Sequence, residues 1–545
     1  MYRSVGGSSL EHLLKEGTKA FSGVDEAVLR NIEACKELSN ITRTSLGPNG
    51  MNKLIVNHLS HIFVTNDAAT IMREMEVAHP AAKIVKDASQ MQEQEIGDFT
   101  NFVIVVAGEL LKQAEGLLTT GLHASEIIEG YTKAAKKARE VMEELVCQTI
   151  TDVKDVDAVT AILRPVLMAK QYGLEDKLAK LVAEACIDIV PPKKENFNVD
   201  NVRFAKIVGG SIGDSSVVRG MVATRGAEGT IKKVKNAKVV VFTGGIDSEG
   251  PETKGTVVIK NAEELEGYNK SEEKMMEDLI DDIVSSGINV IVVGASISEM
   301  ALHFCERKNI MVIRTPSKFE LRRIARTVGA TALSKIGKPT PEEIGEIDSI
   351  SVEEIGSTKV TVFRRDDELS RISTVVIRGA TNNFLNDIER SLEDAVNTYK
   401  QICKDGRFVP GGGAVESELA RLVQKEADSA PGLDQYAIRK FGEALEVIPR
   451  TLAENAGLPA DEVLSNLYAS HSQGNVNYGV DVEASSASAA PHDVTKSGIV
   501  DNLVGKSWAL RLAADAAINI LRVDQIIMAK QAGGPKAPQQ GARDA

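Results

Sequence analysis

Four short stretches of the chain place glycines, hydroxyls or carboxylates beside helix-like segments, where backbone N–H groups lack intrahelical partners and can meet an anion. TSLGPNGMNK (44–53) sets Gly47, Pro48 and Gly50 behind a helical pattern, with Leu46 at its mouth. TNDAATIM (65–72) sets Asp67 between a β-like run and a helix. GDFTN (97–101) offers Asp98, Thr100 and Asn101 at a helix start, with Phe99 and Phe102 interleaved. VPGGGAVE (409–416) repeats the device with Gly411, Gly412 and Gly413. This is phosphate-and-metal chemistry, built without the GxxxxGK[ST] loop that many nucleotide sites use. Taken singly, each stretch reads equally as ordinary structure. Asp67 and Asp98 serve as helix N-caps, the glycine run as a turn, Asp394 in ERSLEDAV as a solvated helix face, and Lys170 in MAKQYG as a surface lysine.

The elements that must carry these stretches change character along the chain. The first 150 residues are helical: GVDEAVLRNIEACKELSNITRTSL, AAKIVKDASQMQEQE and ASEIIEGYTKAAKKAREVMEELV repeat apolar residues at helical spacing. Between the first two, NKLIVNHLSHIFVTND reads as a hairpin. In the middle, KVVVFTGG, INVIVVGAS, IMVIRTPS and KVTVFRRD are short β-branched runs, with helical segments alternating among the first three; that alternation predicts an α/β layer over 220–368. Long helices return after 400, including SWALRLAADAAINILRVDQIIMAK, and the Gly/Pro/Gln-rich end (531–545) reads as a disordered tail. The two helical ends read as possible halves of one discontinuous domain.

At 545 residues the chain exceeds a single core. A net charge of −13 argues against nucleic acid or an acidic membrane as partner. The five cysteines form no CxxC pair, which argues against structural zinc, and no run reaches the length of a membrane span. A cytoplasmic protein is expected. Among eight histidines and five cysteines no catalytic triad converges, which disfavours a free-standing metabolic enzyme.

The order TSLGPNGMNK, TNDAAT, GDFTN, IRGATNNFLNDIERSLEDAV, VPGGGAVE, NYGVDVE, ILRVDQIIMAK resembles that of the group II chaperonins along nearly the whole chain. The resemblance implies an α+β multidomain fold. A mostly helical, discontinuous equatorial domain would comprise 1–148 and 403–530, and a small intermediate domain 149–219 and 369–402. An α/β apical domain over 220–368 would carry a helical lid protrusion near 250–280. It implies a double eight-membered ring shared with seven paralogous subunits. That ring would enclose non-native cytosolic proteins such as actin and tubulin, driven by ATP hydrolysis with Mg2+.

Carried over by motif, Leu46, Gly47 and Pro48 would cradle phosphates, Asp98 would bind magnesium, and Thr100 and Asn101 would donate to phosphate, with Phe99 and Phe102 beside them. Gly411 and Gly412 would admit the ribose, Asp501 would meet its hydroxyls, and Asp481 would lie near the base; bound ADP would keep the same contacts. Asp394 would orient the attacking water with Asp67 as partner, and Lys170, beside Ala169, would sense the γ-phosphate. Client contact would fall to SKFELRRIARTVGA, whose Arg322, Arg323 and Arg326 alternate with Leu321, Ile324 and Ala325; the plainer reading is an amphipathic helix on its own sheet.

Two positions depart from the family pattern. Ala68 replaces the glycine of NDGAT, and Phe99 the second glycine of GDGT. A left-handed backbone at Phe99 would cost ~1–3 kcal/mol, whereas an ordinary first-turn φ would cost nothing. A subunit that holds nucleotide but hydrolyses weakly is therefore the alternative to a working ATPase.

Overall fold

The computed structural model describes residues 19–22, 24–246, 262–365, 372–483 and 491–528. In chain order the α-helices are α1 Val24–Arg43, α2 Ala68–Glu74, α3 Pro80–Glu95, α4 Thr100–Thr119, α5 Ala124–Glu144, α6 Val156–Met168, α7 Glu175–Ile187 and α8 Ala262–Val284. They continue with α9 Glu299–Arg307, α10 Lys318–Val328, α11 Asn382–Lys404, α12 Ala414–Ser429, α13 Asp434–Leu445, α14 Val447–Asn455, α15 Ala460–Ser472 and α16 Leu503–Leu521.

The contacts divide the chain into two compact units: Met1–Thr149 with Arg407–Ala545, and Ile150–Gly406. The first is organised by α4. Its sequence FVIVVAGELL is apolar around the full circumference, so the helix must be central. Val103 to Ala107 are fully buried, and α1, α5, α13 and α16 pack around them. Two small sheets tie the ends together. Arg407–Pro410 lies between Gln148–Thr149 and Val500–Asn502, and Lys19–Ser22 pairs antiparallel with Gln525–Met528. The helix expected through VDQIIMAK therefore stops at Leu521, and the β-branched Ile526–Ile527 pair continues as a strand. The expected hairpin forms, with Lys53–Val56 against Ile62–Thr65.

The second unit holds a nine-stranded mixed sheet. Lys233–Phe242, Val290–Val293 and Met311–Arg314 run parallel, with α8 and α9 as crossovers, as the alternating pattern predicts. The long antiparallel strands Gly345–Ile355 and Thr358–Arg364 extend it, followed by Ser216–Ala223, Ser373–Gly379 and Val202–Val208. Of the expected lid segment, 247–261 lies outside the described residues and α8 occupies the rest; the tail 531–545 also lies outside them.

Candidate nucleotide site

The turn after α1 is built to have no slack. Gly47 sits at φ +82°, and a Cβ there would lie 2.5 Å from Leu452 Cδ2 of α14. Asn455 Nδ2 donates to the carbonyls of Arg43 (3.2 Å) and Leu46 (2.8 Å), and Arg43 Nε donates to Thr451 Oγ1 (2.8 Å). The backbone at 46–48 is thus pinned to α14. Asn101, in the first turn of α4, holds the same turn from the other side. Its Nδ2 donates to Thr42 O and Ser45 Oγ, both at 3.2 Å, while its buried Oδ1 has no hydrogen-bond partner. In this geometry Asn101 braces the turn, and its donors are already engaged. Phe102 is buried in the core behind it.

At the start of α4, Phe99 adopts φ +64°, ψ +20°, the left-handed conformation. The ordinary-φ reading is corrected: this is the backbone that glycine adopts freely, and phenylalanine holds it at a strain of ~1–3 kcal/mol. What offsets the strain is packing. The ring faces Gly505 on α16 and joins the core, a burial worth up to ~1.5–3 kcal/mol were it complete. Asp98 accepts from the Phe99 N–H (2.7 Å), and Thr100 begins the helix beside it. Ala68, by contrast, is an ordinary buried first residue of α2 and lies outside the left-handed set. Asp67 caps that helix, accepting from Thr70 N (2.9 Å) and Oγ1 (2.7 Å), so the N-cap reading holds for it.

The glycine run is equally constrained. Gly412 and Gly413 have φ +59° and +80°, and a Cβ on Gly413 would meet Pro449 Cβ at 2.8 Å. Val480 N–H donates to Gly412 O (2.9 Å), holding the strand that leads to Asp481. Asp481 accepts from Glu483 N–H. Asp501 lies opposite Val409 in the three-stranded sheet.

Two buried charge clusters behind these loops escaped the sequence reading. Lys506 Nζ lies 2.5 Å from Asp501 Oδ2 and 2.8 Å from Glu416 Oε1. Burial disfavours its ammonium, but Asp501 and Glu416 outweigh that and raise its pKa. His471 Nδ1 pairs with Glu418 Oε2 and its Nε2 donates to Tyr478 O, each at 2.9 Å. Burial would raise the Glu418 carboxyl, but hydrogen bonds from His471 and Arg421 prevail and hold it at about 2. Glu416 and Glu418 stand far in sequence from Lys506 and His471, with no spacing to connect them, whereas Asp501 lies five residues before Lys506; a charged residue on the buried face of α12 was the available sign.

In the second unit the structure brings Lys170 and Asp394 into a direct ion pair, partly buried. Ala169 is the C-cap of α6, and the next residue but one, Gln171, donates to Asp387 of α11 (2.6 Å). The mixed face expected on α10 is corrected. Leu321, Ile324, Ala325 and Val328 are buried against the sheet, so the outward surface keeps Arg322 and Arg326, with Arg323 half-buried. The apolar residue on that surface is Phe319, 70% exposed, which sequence reasoning did not single out.

The TCP-1/cpn60 chaperonin family matches residues 38–531. The chain belongs to this family. A relative from Gallus gallus, T-complex protein 1 subunit theta, is 53% identical over 98% of this chain and 96% of its own length. The protein of the same name from Homo sapiens matches equally, and that from Dictyostelium discoideum is 51% identical over 98% of this chain and 99% of its own. The chaperonin fold and a chaperone's role in protein folding follow from that membership.

In this chaperonin the glycines at 47, 412 and 413 hold positive-φ turns packed closely on neighbouring residues, a fixed backbone of the kind that can present N–H groups to a polyphosphate. Asp98 stands as a carboxylate at a helix start, and among the described residues no group of three or more His, Cys, Asp or Glu is placed to hold a metal. A single carboxylate is what magnesium takes when phosphate oxygens and waters complete its shell.

Proposed function

We propose that this chain is an ATP-hydrolysing subunit of a cytoplasmic hetero-oligomeric chaperonin, ringed with seven paralogous subunits in a double eight-membered assembly. It would enclose non-native proteins, actin and tubulin among them. The observation that carries the reading is the convergence, within one unit, of two braced turns and a helix start: Gly47–Pro48, Gly411–Gly412 and Asp98–Thr100. On this reading Gly47 and the α4 start receive the phosphates, Asp98 holds Mg2+, and Gly412, Asp481 and Asp501 receive the nucleoside. Bound magnesium would neutralise phosphate charge. Asp394 orients the attacking water and Asp67 assists, while Lys170 exchanges its ion pair with Asp394 for the γ-phosphate. Coupling follows, since turnover then depends on a carboxylate from the second unit. Phe319, Arg322, Arg323 and Arg326 offer the client an aromatic and cationic surface.

The left-handed Phe99 favours one alternative: a subunit that holds nucleotide and turns it over weakly. Turnover by the native assembly with Asp394→Ala in this chain alone separates the two. A fall by about one site's share, with nucleotide still bound, is expected; unchanged turnover with nucleotide bound supports the holding role.

A further inference from the structure

We propose that Gly505 is a positioning residue for Asp98, acting through the ring of Phe99. The proposal rests on the nucleotide reading above and concerns a residue to which that reading gives no role. A Cβ on Gly505 would lie 2.9 Å from Phe99 Cε2, 3.1 Å from Cδ2 and 3.2 Å from Ile96 Cγ2. The ring therefore occupies space that exists only because position 505 lacks a side chain. The ring is half-buried and packs against the core cluster, which limits how far it can step aside. Displacement passes to the residue that carries it, and Phe99 is the left-handed N-cap of α4, one peptide from Asp98.

A second bond joins the same two segments. Gln92 Nε2 donates to both Asp98 O (3.0 Å) and Gly505 O (3.1 Å), so the carbonyl of Asp98 and that of Gly505 share one amide. The start of α16 cannot yield in turn. Asn502 Oδ1 caps the Gly505 N–H (2.9 Å), and Lys506 is locked between Asp501 and Glu416. Ring, amide and cap together make a latch that sets where the Asp98 carboxylate stands. Gly505 lies within a helix and outside the positive-φ set, so its own backbone accepts alanine, which also has the better helix propensity. What Gly505→Ala adds is the clash with the ring, together with a looser 3.2 Å approach to Ile96 Cγ2 that Phe99→Gly leaves in place.

The test compares the full-length protein in its native assembly with Gly505→Ala, Phe99→Gly and the double variant. Two readouts apply: amide hydrogen exchange over residues 97–103 without nucleotide, and the Mg2+ concentration giving half-maximal ADP binding in calorimetric titrations. Gly505→Ala is expected to speed exchange and to raise the Mg2+ requirement, each by about tenfold. Adding Phe99→Gly should return both to within about threefold of Phe99→Gly alone, because the clash no longer exists. A Gly505→Ala protein with unchanged exchange and Mg2+ requirement overturns the proposal, as does a double variant no better than Gly505→Ala. Should Gly505→Ala fail to fold, a folded double variant supports the latch and an unfolded one contradicts it. If the parent protein binds no ADP at any Mg2+ concentration, the nucleotide reading fails, while exchange still reports on the latch.

Discussion

A side chain at Gly47 of the first unit would collide with Leu452, and one at Gly413 with Pro449; Asn101, Asn455 and Gln92 tie the intervening turns with side-chain amides. In the second unit, Asp394 of α11 and Lys170, just past the end of α6, hold each other by an ion pair, and Arg322 and Arg326 are exposed. On the proposed function, the difference separates two tasks. A receptor for phosphate gains from backbone fixed in advance, since no binding energy is then spent on ordering. A group that acts only at the moment of hydrolysis must be able to change partners, and an ion pair exchanges where a steric fit cannot.

The sharpest way to break this comparison is Gly47→Ala. Left-handed strain and the Leu452 contact together are expected to cost at least ~2 kcal/mol, lowering nucleotide affinity more than about tenfold with a lower melting temperature. Calorimetry and thermal melting check both.

Glu418→Gln probes the buried charge behind the strand to Asp481. Because the folded carboxyl lies at about 2, below its ordinary value near 4.5, its contribution is full above about 4.5 and is lost as pH falls through about 2. That contribution is ~1–3 kcal/mol. Denaturant melts from pH 6 to pH 2 should show the parent losing stability across this window, with the variant lower at pH 6 and flatter below.

Lys170→Met removes a cation from Asp394 and is expected to lower stability by ~1–2 kcal/mol while leaving ADP affinity within about threefold. An affinity loss as large as that of Gly47→Ala would erase the distinction between the units. The smallest effect is expected on α10: Arg322→Ala should change stability by less than ~0.5 kcal/mol, yet weaken capture of a non-native client in a pull-down.

How much of this was legible beforehand depended on the type of evidence each feature leaves in sequence. Helices such as α4 and the parallel strands Val290–Val293 and Met311–Arg314 announce themselves by uniform burial. The antiparallel strand Gly345–Ile355, written GEIDSISVEEI, has one wet face and polar residues throughout, and it passed unnoticed. In the site, the glycine turns were visible because glycine is the residue such backbone needs. The conformation of Phe99 was not, since nothing local says which of two φ values a helix-start aromatic adopts. Only Gly505, some 400 residues away, makes room for its ring. Lys506, Glu416, His471 and Glu418 were invisible for the same reason: pairing across the fold leaves no spacing to read.

The most direct measurement is a pair of calorimetric ADP titrations with Mg2+, on the protein in its native assembly with Asp98→Ala or with Asp394→Ala. If the first unit holds the nucleotide and the second supplies only the acting carboxylate, Asp98→Ala should weaken binding by more than about tenfold, and Asp394→Ala by less than about twofold. Equal losses in the two variants, or undisturbed binding with Asp98→Ala, would contradict the account.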